Sequence, residues 1–199
     1  MKLKILPVAL AIVGTAIALT SGHAQQEIFF ANLSGPAESP PNNSTATGFA
    51  TVTLDLALMT MRVQVDFAGL SSNTTAAHIH APTTMAFAGT AGVATVVPAF
   101  PGFPLGVTSG TSDSTLDLTQ ASSFNPAFVT ANGGSVSASA AVLISAIEQG
   151  KAYLNIHTVN FGGGEIRGFL AVPEPTTLSL VAVGGAAIFV AAQRRKRHS

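Results

Sequence analysis

Phe49-Ala50-Thr51-Val52-Thr53-Leu54-Asp55 and Met61-Arg62-Val63-Gln64-Val65-Asp66-Phe67 are the stretches that decide the fold. In the first, Ala50, Val52, Leu54 and the following Leu56 are apolar, while Thr51, Thr53 and Asp55 are polar. In the second, Met61, Val63, Val65 and Phe67 alternate with Arg62, Gln64 and Asp66. Successive side chains of an extended chain point to opposite faces, so this period marks strands with one wet and one buried face. Together the two runs predict a β-hairpin. Gly69 and Ser71-Ser72-Asn73 close its second strand.

Working outward, Ala77 to His80 reads as a short strand stopped at Ala81-Pro82. The apolar, β-branched run Val93 to Val97 predicts another strand, and Pro98, Pro101, Gly102 and Pro104 force a loop after it. Thr115 to Leu118 alternates again. Ala140, Leu143, Ile144 and Ile147 follow helical spacing instead. Ser137 or Ser139 suits the start of that helix and Gly150 its end. Ala152 to Thr158 and Glu165 to Ala171 read as two final strands joined by a turn at Asn160-Phe161-Gly162-Gly163-Gly164. Many short strands with one short helix predict a mainly β protein, an antiparallel β-sandwich or flattened barrel.

The two ends have a different character. Lys2 and Lys4 precede an apolar run from Ile5 to Leu19, and Gly22-His23-Ala24 offers small residues at a cleavage site. Residues 1–24 therefore read as a secretory signal peptide, too short in its apolar part for a membrane span. Thr176 to Ala192 carries no charge and runs into Gln193-Arg194-Arg195-Lys196-Arg197-His198. A short apolar helix with a basic flank places the preceding chain outside the membrane. The exported domain is thus expected over residues 25–172, with a sorting or anchoring tail over 173–199.

The chain has 199 residues and a formal charge of zero, but the charge is unevenly spread. From Gln25 to Val172 only Arg62, Lys151 and Arg167 are basic. They face Glu27, Glu38, Asp55, Asp66, Asp113, Asp117, Glu148 and Glu165, a net charge of −5. Such a surface repels phosphate backbones, which argues against a nucleic-acid partner. The absence of cysteine excludes disulfides, a thiol nucleophile and a thiolate metal site.

Val172-Pro173-Glu174-Pro175, the apolar helix and the arginine-rich cluster together resemble the PEP-CTERM sorting signal of Gram-negative bacteria. That resemblance implies an exosortase-type processing enzyme as partner and transient anchoring in the inner membrane. Cleavage near Pro173, Glu174 and Pro175 would then release the protein to the cell surface or beyond. The domain resembles a second family through four motifs in order: Leu33-Ser34-Gly35-Pro36-Ala37-Glu38-Ser39-Pro40-Pro41 with Gly48 to Asp55, then Ala77-His78-Ile79-His80, then Gly150 to Thr158, then Gly163 to Gly168. These segments are similar to the CHRD domain, named after chordin. The resemblance implies a β-sandwich domain of extracellular proteins.

Three histidines survive processing: His78, His80 and His157. His78 and His80, two apart on a strand, share a face opposite Ile79. Tyr153, Asn155 and His157 share a face opposite Leu154 and Ile156. If the isoleucines meet in the core, all three imidazoles converge on the other side of one sheet, where they suit copper or zinc. The competing reading makes them hydrogen-bonded structural residues. His-X-His spacing also occurs in copper–zinc superoxide dismutase, but three histidines fall short of that enzyme's ligands. Glu165 and Arg167 share a face with Phe169, so Glu165 is expected either to hold Arg167 or an imidazole N–H behind the metal ligands, or to make a structural ion pair or hydrogen bonds to the neighbouring turns. No catalytic residues emerge: carboxylates are not paired, and no serine occupies a nucleophile elbow. The sequence thus predicts a non-enzymatic surface or matrix module, structural or adhesive, with an extracellular polymer as partner. Its alternative is a copper- or zinc-binding protein.

Overall fold

The structure is a computed structural model and describes residues 26–172. The signal peptide over 1–24 and the tail with Pro173, Glu174 and Pro175 lie outside the described residues. The strands are β1 (Gln26–Ser34), β2 (Thr47–Asp55), β3 (Thr60–Ala68), β4 (Thr74–His80), β5 (Gly110–Asp117), β6 (Tyr153–Thr158) and β7 (Ile166–Phe169). Two helices, α1 (Pro126–Ala131) and α2 (Val136–Glu148), lie between β5 and β6.

The predicted hairpin is β2–β3, with Val52 opposite Val63 and Leu54 opposite Met61. Asp55 closes its turn. Its Oδ1 accepts from the backbone N–H groups of Ala57 at 3.1 Å and Leu58 at 2.9 Å, the local bonding that makes aspartate a turn residue. The sheet order is β4-β6-β7-β1-β2-β3-β5, with every strand pair antiparallel. The expected sandwich or flattened barrel takes the form of one curled half-barrel sheet. Helices and loops cover it where a second sheet would otherwise lie.

One face of the sheet carries the core. Phe29 and Leu33, Val52 and Leu54, Met61 and Val63, Ile79, Leu154, Ile156 and Ile166 are buried there. Leu143 and Ile147 of α2 belong to the same cluster. Each such side chain contributes roughly 1.5–3 kcal/mol by leaving water. The face opposite the core is called the outer face below.

Three local readings change. Val93 to Val97 is not a continuous strand, because its backbone groups are divided between Ile79 of β4, to which the Ala94 and Thr95 N–H groups donate, and the loop at Ser123. Thr95 Oγ1 accepts from the Ile79 N–H at 2.9 Å, and Val96 N–H donates to Ser123 at 3.0 Å. What pairing remains is isolated, Val93 to His80 and Thr95 to Phe124, and never grows into a ladder. Helix α2 begins a turn earlier than expected, because Ser135 rather than Ser137 or Ser139 caps it. The Ser135 Oγ accepts from the Ala138 N–H at 3.2 Å. Helix α1 is an addition, capped by Asn125, whose Oδ1 accepts from the Ala127 N–H at 3.0 Å, with Pro126 at its first position. The far end of α2 matches the expectation. Gly150 has φ +66°, its N–H donates to Ile147, and the Lys151 N–H donates to Ala146 at 2.7 Å. This is the paired bonding that ends helices at a left-handed glycine.

Candidate metal centre

Strands β4 and β6 pair with Ala76 opposite His157, His78 opposite Asn155 and His80 opposite Tyr153. That register puts all three histidines on the outer face, while Ile79 and Ile156 enter the core. One ring nitrogen from each histidine lies within 4.8 Å of those of the other two. The ring of His78 lies 4.8 Å from that of His80 and 4.6 Å from that of His157, centroid to centroid. All three are buried, at 6, 9 and 8 % exposure for His78, His80 and His157. Nitrogens sharing one zinc or copper ion stand roughly 3–4 Å apart, so small side-chain rotations close the set.

The hydrogen bonds fix two of the rings. His80 Nδ1 lies 2.8 Å from the Ala91 carbonyl, and His157 Nδ1 lies 3.0 Å from the Gly162 carbonyl. A carbonyl only accepts, so both Nδ1 atoms carry the proton and both Nε2 atoms hold a lone pair. Those two Nε2 atoms and His78 Nδ1 are buried without a hydrogen-bond partner. Buried polar groups are nearly always satisfied. Three unpartnered ring nitrogens on clustered rings, two of them fixed as acceptors because the opposite nitrogen is held by a carbonyl, form the pattern of imidazoles set to ligate.

Electrostatics keep the rings neutral. Burial, and then the neighbouring His157 and His80, push His78 down to about 3. Burial pushes His80 down to about 4 against the Ala91 bond, with the charges of His157 and Arg167 adding to the shift. Burial lowers His157 as well, opposed by its Gly162 bond. At neutral pH no proton has to leave before a metal binds.

Loops roof this part of the outer face, and Arg167 ties two of them. It donates through Nε to the Ala37 carbonyl and through Nη1 to the Gly89 carbonyl at 3.1 Å. Its Cζ sits 4.7 Å above the Tyr153 ring centroid, and Tyr153 stacks on His80 at 4.8 Å. Glu38 Oε2 lies 3.7 Å from Arg167 Nε. Burial raises the Glu38 carboxyl to about 7, against the pull of Arg167 and of a bond from the Ser39 N–H. Sequence reading quoted Glu38 within a motif without giving it a role, and it did not single out Tyr153 or Asn155. Only the roofing loops bring Glu38 to the strand face.

Glu165 takes the second of its two expected roles, bonding to the neighbouring turns. It holds neither Arg167 nor an imidazole. Its Oε1 accepts from Ser44 Oγ and the Ser71 N–H, each at 2.7 Å. Its Oε2 accepts from Thr158 Oγ1 at 2.7 Å and Ser71 Oγ at 3.1 Å. Four nearer donors from three segments saturate both oxygens. Burial raises this carboxyl, but the bonds from Thr158, Ser44 and Ser71 outweigh it and hold it below the usual range. Glu165 therefore fastens loops to strands, and Arg167 faces Glu38 instead.

Two family models match the chain. One, described as the CHRD domain, covers residues 29–170. The other, described as the PEP-CTERM protein-sorting motif, covers residues 171–196. No curated protein and no solved structure matches it.

Proposed function

This chain belongs to the CHRD-domain family and carries a PEP-CTERM sorting motif, and from that premise we propose that it is a non-catalytic cell-surface protein whose domain holds one copper or zinc ion between His78, His80 and His157. The sorting motif makes it an exported protein processed by an exosortase-type enzyme. The observation that carries the metal reading is the set of three buried, unpartnered ring nitrogens at His78, His80 and His157. The bound ion would satisfy all three and would lock β4 against β6 beneath the roofing loops. A purely structural or adhesive module acting on extracellular polymer accounts for the address but leaves those nitrogens without a role.

The test uses the exported protein, loaded with copper or zinc and then desalted. About one equivalent should remain bound, and a His78→Ala, His80→Ala double variant should lose it with unchanged circular dichroism. A wild type that retains no metal at micromolar concentration overturns the metal reading and leaves the structural or adhesive one. Sorting is tested separately. Replacing Pro173, Glu174 and Pro175 should trap the protein in the inner membrane, and normal surface delivery of that variant would overturn exosortase processing.

A further inference from the structure

We propose that the three-histidine centre selects the singly charged ion Cu(I) over the divalent ions Zn(II) and Cu(II), and that the charge of Arg167 sets this preference. The proposal rests on the reading of His78, His80 and His157 as one metal centre.

Charge balance carries the argument. The ligand group contains three imidazoles and no carboxylate. All its donors are neutral, so the full charge of the ion stays uncompensated in a buried site. The cost of desolvating an ion grows with the square of its charge, about four times more for a dication than for a monocation of similar size. The fixed charge stacked nearest to the rings is positive. Arg167 lies on Tyr153, which lies on His80, so its guanidinium sits within roughly 10 Å of the His80 ring. Arginine cannot shed that charge.

Neither neighbouring carboxylate restores the balance. Glu165 is saturated by Ser44, Ser71 and Thr158. Glu38 faces Arg167 and is held half-neutral near pH 7 by its burial. Coordination number points the same way. Zinc on three histidines completes its tetrahedron with a water, whereas Cu(I) needs no fourth donor.

The experiment titrates the whole exported protein with Cu(I) under anaerobic reducing conditions, with Cu(II) and with Zn(II), each against a chromophoric chelator. Cu(I) should bind at one equivalent and displace Zn(II). Arg167→Gln should shift the Zn(II)-to-Cu(I) affinity ratio toward zinc by on the order of tenfold, the effect of one charge on the extra unit carried by the dication. Arg167→Lys, which keeps the charge, should hold the wild-type ratio. Glu38→Gln, which removes the partial counter-charge, should move the ratio the opposite way. A loosened roof would not produce shifts of opposite sign, and Glu38→Gln carries the test alone if Arg167→Gln fails to fold. Zinc binding as tight as Cu(I), or equal shifts in Arg167→Gln and Arg167→Lys, overturns the preference while the metal centre stands. Binding of no metal overturns both.

Discussion

The outer face of this sheet is treated in two opposite ways. In the half built from β1, β2, β3 and β5 it is open to water. Its strands run eight or nine residues with unbroken ladders. Burial alternates along them, and Ile28, Phe49, Arg62 and Asp113 stand exposed. In the half built from β4, β6 and β7 the strands are shorter, and every residue of β6 is buried. Its outer face holds His78, His80, Asn155, His157 and Arg167, all roofed. The same chemistry therefore works under two regimes. Arg62 and Asp113 pair with side chains about half exposed, whereas Arg167 and Glu38 face each other at 6 % exposure each. Water screens the first pair, and the second pair must be satisfied from within.

Glu165 joins the two halves, so its removal should have the largest effect. Glu165→Ala leaves Ser44, both Ser71 donors and Thr158 without an acceptor. We expect a loss of about 4–5 kcal/mol in urea unfolding. A loss under 2 kcal/mol would show that water enters and replaces the carboxylate.

Acid should attack the roofed half next. The folded-state values of His78 and His80 lie near 3 and 4, below the ordinary 6.5. Between these limits the unfolded chain binds more protons, so the stability present above pH 6.5 drains away as pH falls. Glu38 runs the other way. Its folded value near 7 exceeds its ordinary 4.5, so its stabilisation is present in acid and is lost as pH rises through 7. Three imidazoles outweigh one carboxyl, and metal-free protein should lose about 3 kcal/mol between pH 7 and 4. A flat stability profile over that range would mean that the rings charge in place.

Gly164 tests how closely the roof sits. Its φ is +124°, and an added Cβ would meet Asn155 Nδ2 at 2.4 Å and Glu38 Oε1 at 2.7 Å. Gly164→Ala should cost about 2 kcal/mol in thermal or urea unfolding. A neutral result would show that Glu38 moves aside freely. The open half supplies the smallest effect. Arg62→Gln should change stability by less than about 1 kcal/mol, and less still at high salt. A larger change would mean that the open face is not governed by solvent.

The β2–β3 hairpin of the open half was legible in the sequence because water imposes the alternation that betrays a strand, whereas β1 was missed. Thr51, Thr53, Arg62 and Gln64 are polar because their face is wet. The roofed half kept the alternation of Ile against His, which placed His78, His80 and His157 on one face. The same parity argument put Arg167 on the outer face, but for Glu165 it could not choose between Arg167 and the neighbouring turns that hold it. Parity assigns a side of a sheet, and it cannot say which loop folds over that side.

By itself, then, the sequence determined the β2–β3 hairpin, strands β4, β6 and β7, the end of β5, the helix ending at Gly150 and the side of the sheet that each histidine takes, and it left β1 unread. These follow from interactions within a few residues: steric alternation, caps and turns. Only the tertiary structure decided that Val93 to Val97 divides its backbone between β4 and a loop and that Ser44, Ser71 and Thr158 claim Glu165. It alone brought Ala37 and Gly89 onto Arg167 and set Glu38 beside it. Those contacts join segments as far apart as Ala37 and Arg167, and each depends on which donor arrives first at a buried acceptor. That competition is settled by packing, not by local preference.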